Sequence, residues 1–212
     1  MHFLTGVFTL SEIPHSQLYG WYIVNDYGAL WQSEKEHNAN LAMTFLRQNG
    51  FTIWAAAGIV GNMWAESGLS PDQWEGNTPD AGGYGLVQWT PYTLYSIWAG
   101  TDWRANGPKE MERLKYEREN GLEFFRSQTY PAYGWTEYAA LRPDSTQGQT
   151  DEGITRLAAS IFLYNYLRPA NPAATERNRQ NHAWYVFQNC KGNALPAWLL
   201  FKMAKLTRRI WY

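Results

Sequence analysis

Apolar positions fall at helical spacing through most of the chain between His37 and Asn189, and polar or glycine-rich breaks separate the periodic stretches. "NANLAMTFLRQNG" puts Leu41, Ala42, Phe45 and Leu46 on one face and closes at Gly50. "FTIWAAAGIVGNMWAESG" predicts a second helix, with Thr52 as N-cap, Gly68 as C-terminal stop and Pro71 just beyond. The turn-rich "EGNTPDAGGYG" and the short apolar "LVQW" predict an irregular loop and a small hairpin. "TPYTLYSIWAG" has a Thr cap, an early Pro and a final Gly, the pattern of a short helix. "GPKEMERLKYERENGLEFFRS" spaces Met111, Leu114, Arg118, Leu122 and Phe125 along one helical face. Residues 131–149 read mostly as loop. "TDEGITRLAASIFLYNYLRP" carries the clearest stripe, Ile154, Leu157, Ala158, Ile161, Phe162 and Asn165, and a last helix covers roughly Ala173 to Asn189.

The ends differ. Residues 1–36 are aromatic without periodicity and predict an extended or short-stranded arm, either docking elsewhere or strapped over the domain's own core. After the linker-like "KGNALP", residues 195–212 form an amphipathic pattern, with Leu199, Met203, Leu206 and Ile210 on one face and Lys202, Lys205 and Arg209 on another. Such a helix can lie on a membrane or pack on a protein. The expected organisation is an arm over 1–36, a mainly α-helical catalytic domain over 37–190 and a docking helix over 191–212.

Composition narrows the function classes. The chain's 212 residues suit one domain with attachments. Its 12 Trp, 14 Tyr and 9 Phe exceed what a core needs, and flat aromatic faces suit sugar rings, bases or a protein partner. A net charge of −1 argues against nucleic acid as the partner. The lone Cys190 excludes an internal disulfide, and His2, His15, His37 and His182 lack metal-ligand spacing, so no metal or cofactor is implied. No apolar run is long enough to span a bilayer. "MHFLTGVFTLSEIPHS" has no Lys or Arg ahead of its apolar residues and does not read as a signal peptide, so the protein is expected to stay where it is made or leave by assembly or lysis.

Glu66 is the residue that raises a chemical question. It precedes the helix stop at Gly68 and shares a face with Ile59 and Met63. The negative end of the helix dipole and an apolar surround both favour a carboxyl that keeps its proton. A protonated carboxyl is what donation to a glycosidic oxygen requires. A surface salt bridge is the plainer alternative. Downstream, "GGYGLVQW" combines glycines, which let a backbone approach a ligand, with an amide able to donate and accept, Gln88. Tyr84, Trp89 and Trp64 offer rings that either stack on a pyranose or fill the core.

The string "GNMWAESGLSP" followed by "GYGLVQWTP" resembles the phage tail lysozymes, peptidoglycan-cleaving domains carried at bacteriophage tail tips, and "YLRPANPAATERNRQNHAWY" looks like that family's closing segment. The resemblance covers roughly residues 37–188. More distantly the motifs resemble lytic transglycosylases and goose-type lysozymes. It implies a lysozyme-like helical domain with a small β-hairpin at the cleft, Glu66 as catalytic acid, and Gly85 and Gln88 as cleft-lining positions, with Tyr84, Trp89 and Thr90 beside them. "LYNYLRP" echoes the transglycosylase Tyr-Asn-Ala-Gly motif, which would place Tyr164 and Asn165 in the cleft, although Tyr166 and Leu167 stand where Ala and Gly would.

A two-carboxylate glycosidase needs a partner for Glu66. Asp72, Glu75, Asp80 and Asp102 are near in sequence; turn chemistry explains Asp72 and Asp80, and Glu75 is the favoured helper. Without such a partner, attack by the substrate's own C6 hydroxyl would make a transglycosylase, or water held by groups such as Thr90 a hydrolase. The expectation is a virion-borne muramidase that cuts the β-1,4 bond between N-acetylmuramic acid and N-acetylglucosamine, with bacterial peptidoglycan and other phage tail proteins as partners. The alternatives are a lytic transglycosylase and a non-catalytic tail or wall-binding module.

Overall fold

Thr52 and Gly68 bound the helix around which the molecule is built. In the computed structural model, which describes residues 15–25, 28–80 and 82–192, that helix is α2 (Ile53–Ser67). Thr52 accepts from the Ala55 N–H, and Gly68 takes the left-handed conformation (φ 59°, ψ 22°) and returns its N–H to Trp64 O. Left-handed backbone is cheap for glycine, so the helix ends there. Ala55 to Met63 are all buried, making α2 an interior helix.

Before it come the hairpin β1 (Gln17–Leu18) and β2 (Trp21–Tyr22) and the helix α1 (Gln32–Gln48). After it come α3 (Thr93–Ala99), α4 (Gly107–Glu119), α5 (Trp135–Ala139), α6 (Asp151–Phe162) and α7 (Pro172–Asn189). The protein is mainly helical with one small antiparallel hairpin, paired Gln17 to Tyr22 and Leu18 to Trp21. That hairpin is built by the arm. The loop where sequence placed a hairpin instead carries isolated bridges, Trp74 with Tyr84 and Tyr84 with Trp89.

α2, α6 and α7 pack against one another and form the centre. Two glycines of α2 let the neighbours approach: a Cβ on Gly58 would lie 2.7 Å from Ala158 Cβ, and one on Gly61 2.4 Å from the Ala183 backbone. The same core extends under the 73–92 loop as an aromatic cluster of Trp74, Tyr84, Trp89 and Tyr95, with the half-buried Trp103 packed against it.

Some boundaries differ from the sequence reading. α1 begins at Gln32, five residues before the periodicity at His37, and the buried Glu34 closes its first turn by accepting from Trp31 N–H at 2.8 Å. The helix expected through Phe125 stops at Glu119, where Gly121 and Glu123 both take positive φ, so Leu122 and Phe125 end up exposed. A short helix, α5, interrupts the loop expected over 131–149. Trp21, Ile23, Val24 and Leu30 of the arm are buried. The amphipathic segment 195–212 and the first residues of the arm lie outside the described residues. Among the described residues no helix is long and apolar enough to cross a membrane.

Candidate active site

The cleft beside the C-terminal end of α2 has a volume of about 610 Å³, and its walls come from five segments of chain, one of them Gly28 and Ala29 of the arm. The helix end supplies Glu66, Ser67 and Gly68. The 73–77 turn supplies Glu75, the 87–90 turn Gln88 and Thr90, and the turn after α6 supplies Leu167, Arg168 and Pro169.

Glu66 reaches the cleft from the last turn of α2, its side chain 20% exposed. Its Oε1 is 2.7 Å from Arg179 Nη2, and that arginine is buried on α7. The surround of Glu66 is not apolar alone, because Arg179 places a guanidinium charge beside it across the helix pair. The Arg179 fork also donates from Nη1 to Asn62 Oδ1 at 3.2 Å and from Nε to Thr175 Oγ1 at 3.2 Å. Both salt bridge and cleft position, framed as alternatives for Glu66, are therefore present together.

Glu75 is the one other carboxylate among the described lining residues. Its Oε2 accepts from Gly83 N–H at 2.7 Å, tying the 75–77 turn to the glycine pair. A side chain on Gly82 would strike that carboxylate, with a Cβ 2.4 Å from Oε2. Asp72 is buried, accepting from Ser70 Oγ and Val24 N–H, and Asp80 is exposed and paired with Arg104.

Gln88 lines the cleft in the left-handed conformation (φ 54°). Its Nε2 donates to Gln73 O and Gly85 O, both at 2.9 Å. Both amide hydrogens are thus committed, and since both partners are carbonyls the nitrogen must face them. Gln88 can offer a substrate only its acceptor oxygen, a narrower role than sequence allowed. Thr90 is exposed on the cleft wall and donates to Gln88 O.

Other sequence candidates sit elsewhere. Gly85 (φ 80°) is buried under the loop and leaves room for a protein group: a Cβ there would be 2.6 Å from Glu110 Oε2. Tyr84 is buried with its hydroxyl accepting from Ala105 N–H, and Trp89 is buried, stacked on Tyr95 and bonded to Glu117. Packed in the aromatic core, neither ring presents a face to the cleft. Trp64 is stacked on His182. Tyr164 bonds to Glu176 and meets Tyr130 edge to face, outside the described cleft lining. Asn165 is fully buried: Nδ2 donates to Tyr130 O and Tyr133 O, and Oδ1 accepts from Ser127 Oγ. It clamps the 127–133 loop, so the amide on the apolar stripe has a structural use. The Arg-Pro turn that follows does line the cleft, with Arg168 left-handed (φ 50°) and its guanidinium over Phe125.

Two further buried carboxyls hold the floor. Glu110 is fully buried, accepts from Leu86 N–H at 2.6 Å, and is driven well above the usual carboxyl range by burial, with the Asp72 charge adding to it. Glu117 is also pushed up by burial, although Tyr166, Arg113 and Trp89 all donate to it.

A helical domain that brings a partly exposed carboxyl to a cleft at a helix end, faced by a glycine-glutamine turn, is lysozyme-like in class. The family model for phage tail lysozyme matches residues 37–189, and the chain belongs to that family. Morphogenesis protein 1 of Bacillus phage B103 is 32% identical over 179 residues, which cover 82% of this chain and 44% of that protein. The chain thus spans less than half the length of that relative. The matches associate it with phage and with tail structures.

Sequence reasoning missed Arg179 and Asn62. Asn62 sits four residues before Glu66, one helical turn away, within the quoted motif; Arg179 lies in the closing segment "ERNRQNHAW". An arginine in an otherwise core-facing helix position is the signal that would have found it.

Proposed function

We propose that this domain is a virion-borne peptidoglycan glycosidase that cuts the β-1,4 bond between N-acetylmuramic acid and N-acetylglucosamine, opening the host wall during infection. The observation that carries the reading is the pairing in one cleft of Glu66, anchored through one oxygen, and Glu75, with no third carboxylate among the described lining residues. Glu66 Oε2 accepts no protein hydrogen bond among the described residues and is the oxygen left to carry a proton. That proton passes to the glycosidic oxygen as its bond to C1 breaks. Water attacks C1 from the other face and releases its proton to Glu75, whose Oε1 is uncommitted among the described residues. The Gln88 oxygen accepts from a substrate N–H or O–H. The family membership and the phage relative favour a tail-associated setting, with residues 1–14 and 193–212 as the attachments.

The test is digestion of purified sacculi by wild type, Glu66→Gln and Glu75→Gln, with mass spectrometry of the products. Glu66→Gln is expected to lose at least about 10²-fold in rate, the scale of a general acid. Full activity in that variant sinks the reading. Glu75→Gln is expected to lose activity too, with reducing-end products from wild type. Anhydro-sugar ends would replace the hydrolase by a transglycosylase using the substrate's C6 hydroxyl, and binding without release of soluble sugar would leave a wall-binding module.

A further inference from the structure

Arg179 is a buried arginine that the proposed chemistry leaves unexplained. It does not line the cleft, yet each of its three side-chain nitrogens faces a polar partner. Nη1 donates to Asn62 Oδ1 and Nε to Thr175 Oγ1, while Nη2 stands 2.7 Å from Glu66 Oε1 as an ion pair. Asn62 is fully buried and is itself fixed, because its Nδ2 donates to Gly58 O at 2.9 Å and Ala159 O at 3.0 Å. Both acceptors are carbonyls, so the amide orientation is set and Oδ1 must face α7. The close approach of α2 to α7 at Gly61 and Ala183 fixes the distance the guanidinium spans.

We infer that Arg179, aimed by Asn62, is a positioning residue for Glu66; this rests on the reading of Glu66 as the acid. A guanidinium pinned by hydrogen bonds at two of its nitrogens keeps the third, and the charge beside Glu66 Oε1, in a defined place. It engages Glu66 through a single oxygen. The ion pair restrains the carboxyl at Oε1, and Oε2 accepts no protein hydrogen bond among the described residues. A buried ion pair is a poor device for stability alone, since an apolar pair of similar volume is often as stable. Placing one at the cleft wall makes sense if the orientation of the carboxyl matters to the reaction.

The test uses Arg179→Met, Arg179→Lys and Asn62→Leu in the full chain, assayed on solubilised glycan strands, with circular dichroism to follow folding. Arg179→Met is expected to lower kcat about 10²-fold with little change in KM, the cost of a misplaced reacting group. Arg179→Lys keeps the charge but not the fork and is expected to fall between. Asn62→Leu is expected to lower kcat in the same sense. In a Glu66→Gln background Arg179→Met should cause no further loss. Wild-type kcat in a folded Arg179→Met or Arg179→Lys overturns the inference, as does a loss confined to KM or an equal loss in the Glu66→Gln background. If Arg179→Met does not fold, Arg179→Lys and Asn62→Leu decide. The assignment of Glu66 itself stands or falls on Glu66→Gln alone, so the two failures are distinguishable.

Discussion

Asn165 and Gln88 show how a side-chain amide serves two ends in this molecule. Asn165 joins the turn after α6 to three residues of the 127–133 loop. Asn165→Leu is expected to cost about 2–4 kcal/mol, since several buried groups lose partners together, and a urea midpoint measures it. Gln88 also spends its donors on backbone, but at the cleft. Gln88→Glu sets a carboxylate against two carbonyls and is expected to lower both thermal midpoint and activity, whereas a mutation of Tyr164 to Phe removes only a 3.3 Å contact and should do neither. Glu110 makes a pH-dependent contribution. Its folded carboxyl holds its proton well above the ordinary range, so the folded state binds more protons than the unfolded one above about pH 4.5. Stability from this group is therefore full at low pH and declines as pH rises past the unfolded value. Glu110→Gln should flatten the fall in urea midpoint between pH 5 and pH 8 relative to wild type, and a steeper fall would contradict this. At this scale the sequence disclosed Glu66 and Gln88 as cleft residues. It did not disclose that Tyr84 and Trp89 are core, because burial of a ring depends on what the chain later lays over it.

The elements that sequence located best are those with chemical ends. α2 was bounded by a threonine and a glycine that work as capping residues, so both limits were legible. α4 was overrun because apolar spacing continues through Phe125 while Gly121 turns the backbone. α1 was begun late because its first turn is polar and rests on the buried Glu34, which also accepts from His15. Glycines inside α2 looked like weak helix positions and are instead points of close approach. Gly61→Ala would press a methyl into the α7 backbone and is expected to destabilise by about 1–3 kcal/mol, read as a lowered thermal midpoint. Because that contact sets the spacing between Glu66 and Arg179, activity should fall more than the folded fraction does.

For the whole molecule, the arm is the part whose role changes most. Trp21, Ile23, Val24 and Leu30 of its described portion are buried in the domain, and Trp21 lies against Gly107 so closely that a Cβ there would be 2.4 Å from the ring. Trp21→Ala is expected to cost about 3–5 kcal/mol, the usual loss for a large buried aromatic, and a change under about 1 kcal/mol in chemical denaturation would show the arm to be detachable. The docking role proposed for the far ends is tested separately by whether particles still incorporate a chain lacking residues 1–14 and 193–212.

The pairing of Glu66 with Arg179 has a consequence in time. Glu66 leaves the ribosome well before Arg179, which follows only after six of the seven described helices have been made. A truncated or half-finished product therefore carries the acid but not the group that holds it. On the function proposed above, such fragments would cut wall poorly, and full cutting power would arrive only with α7 in place.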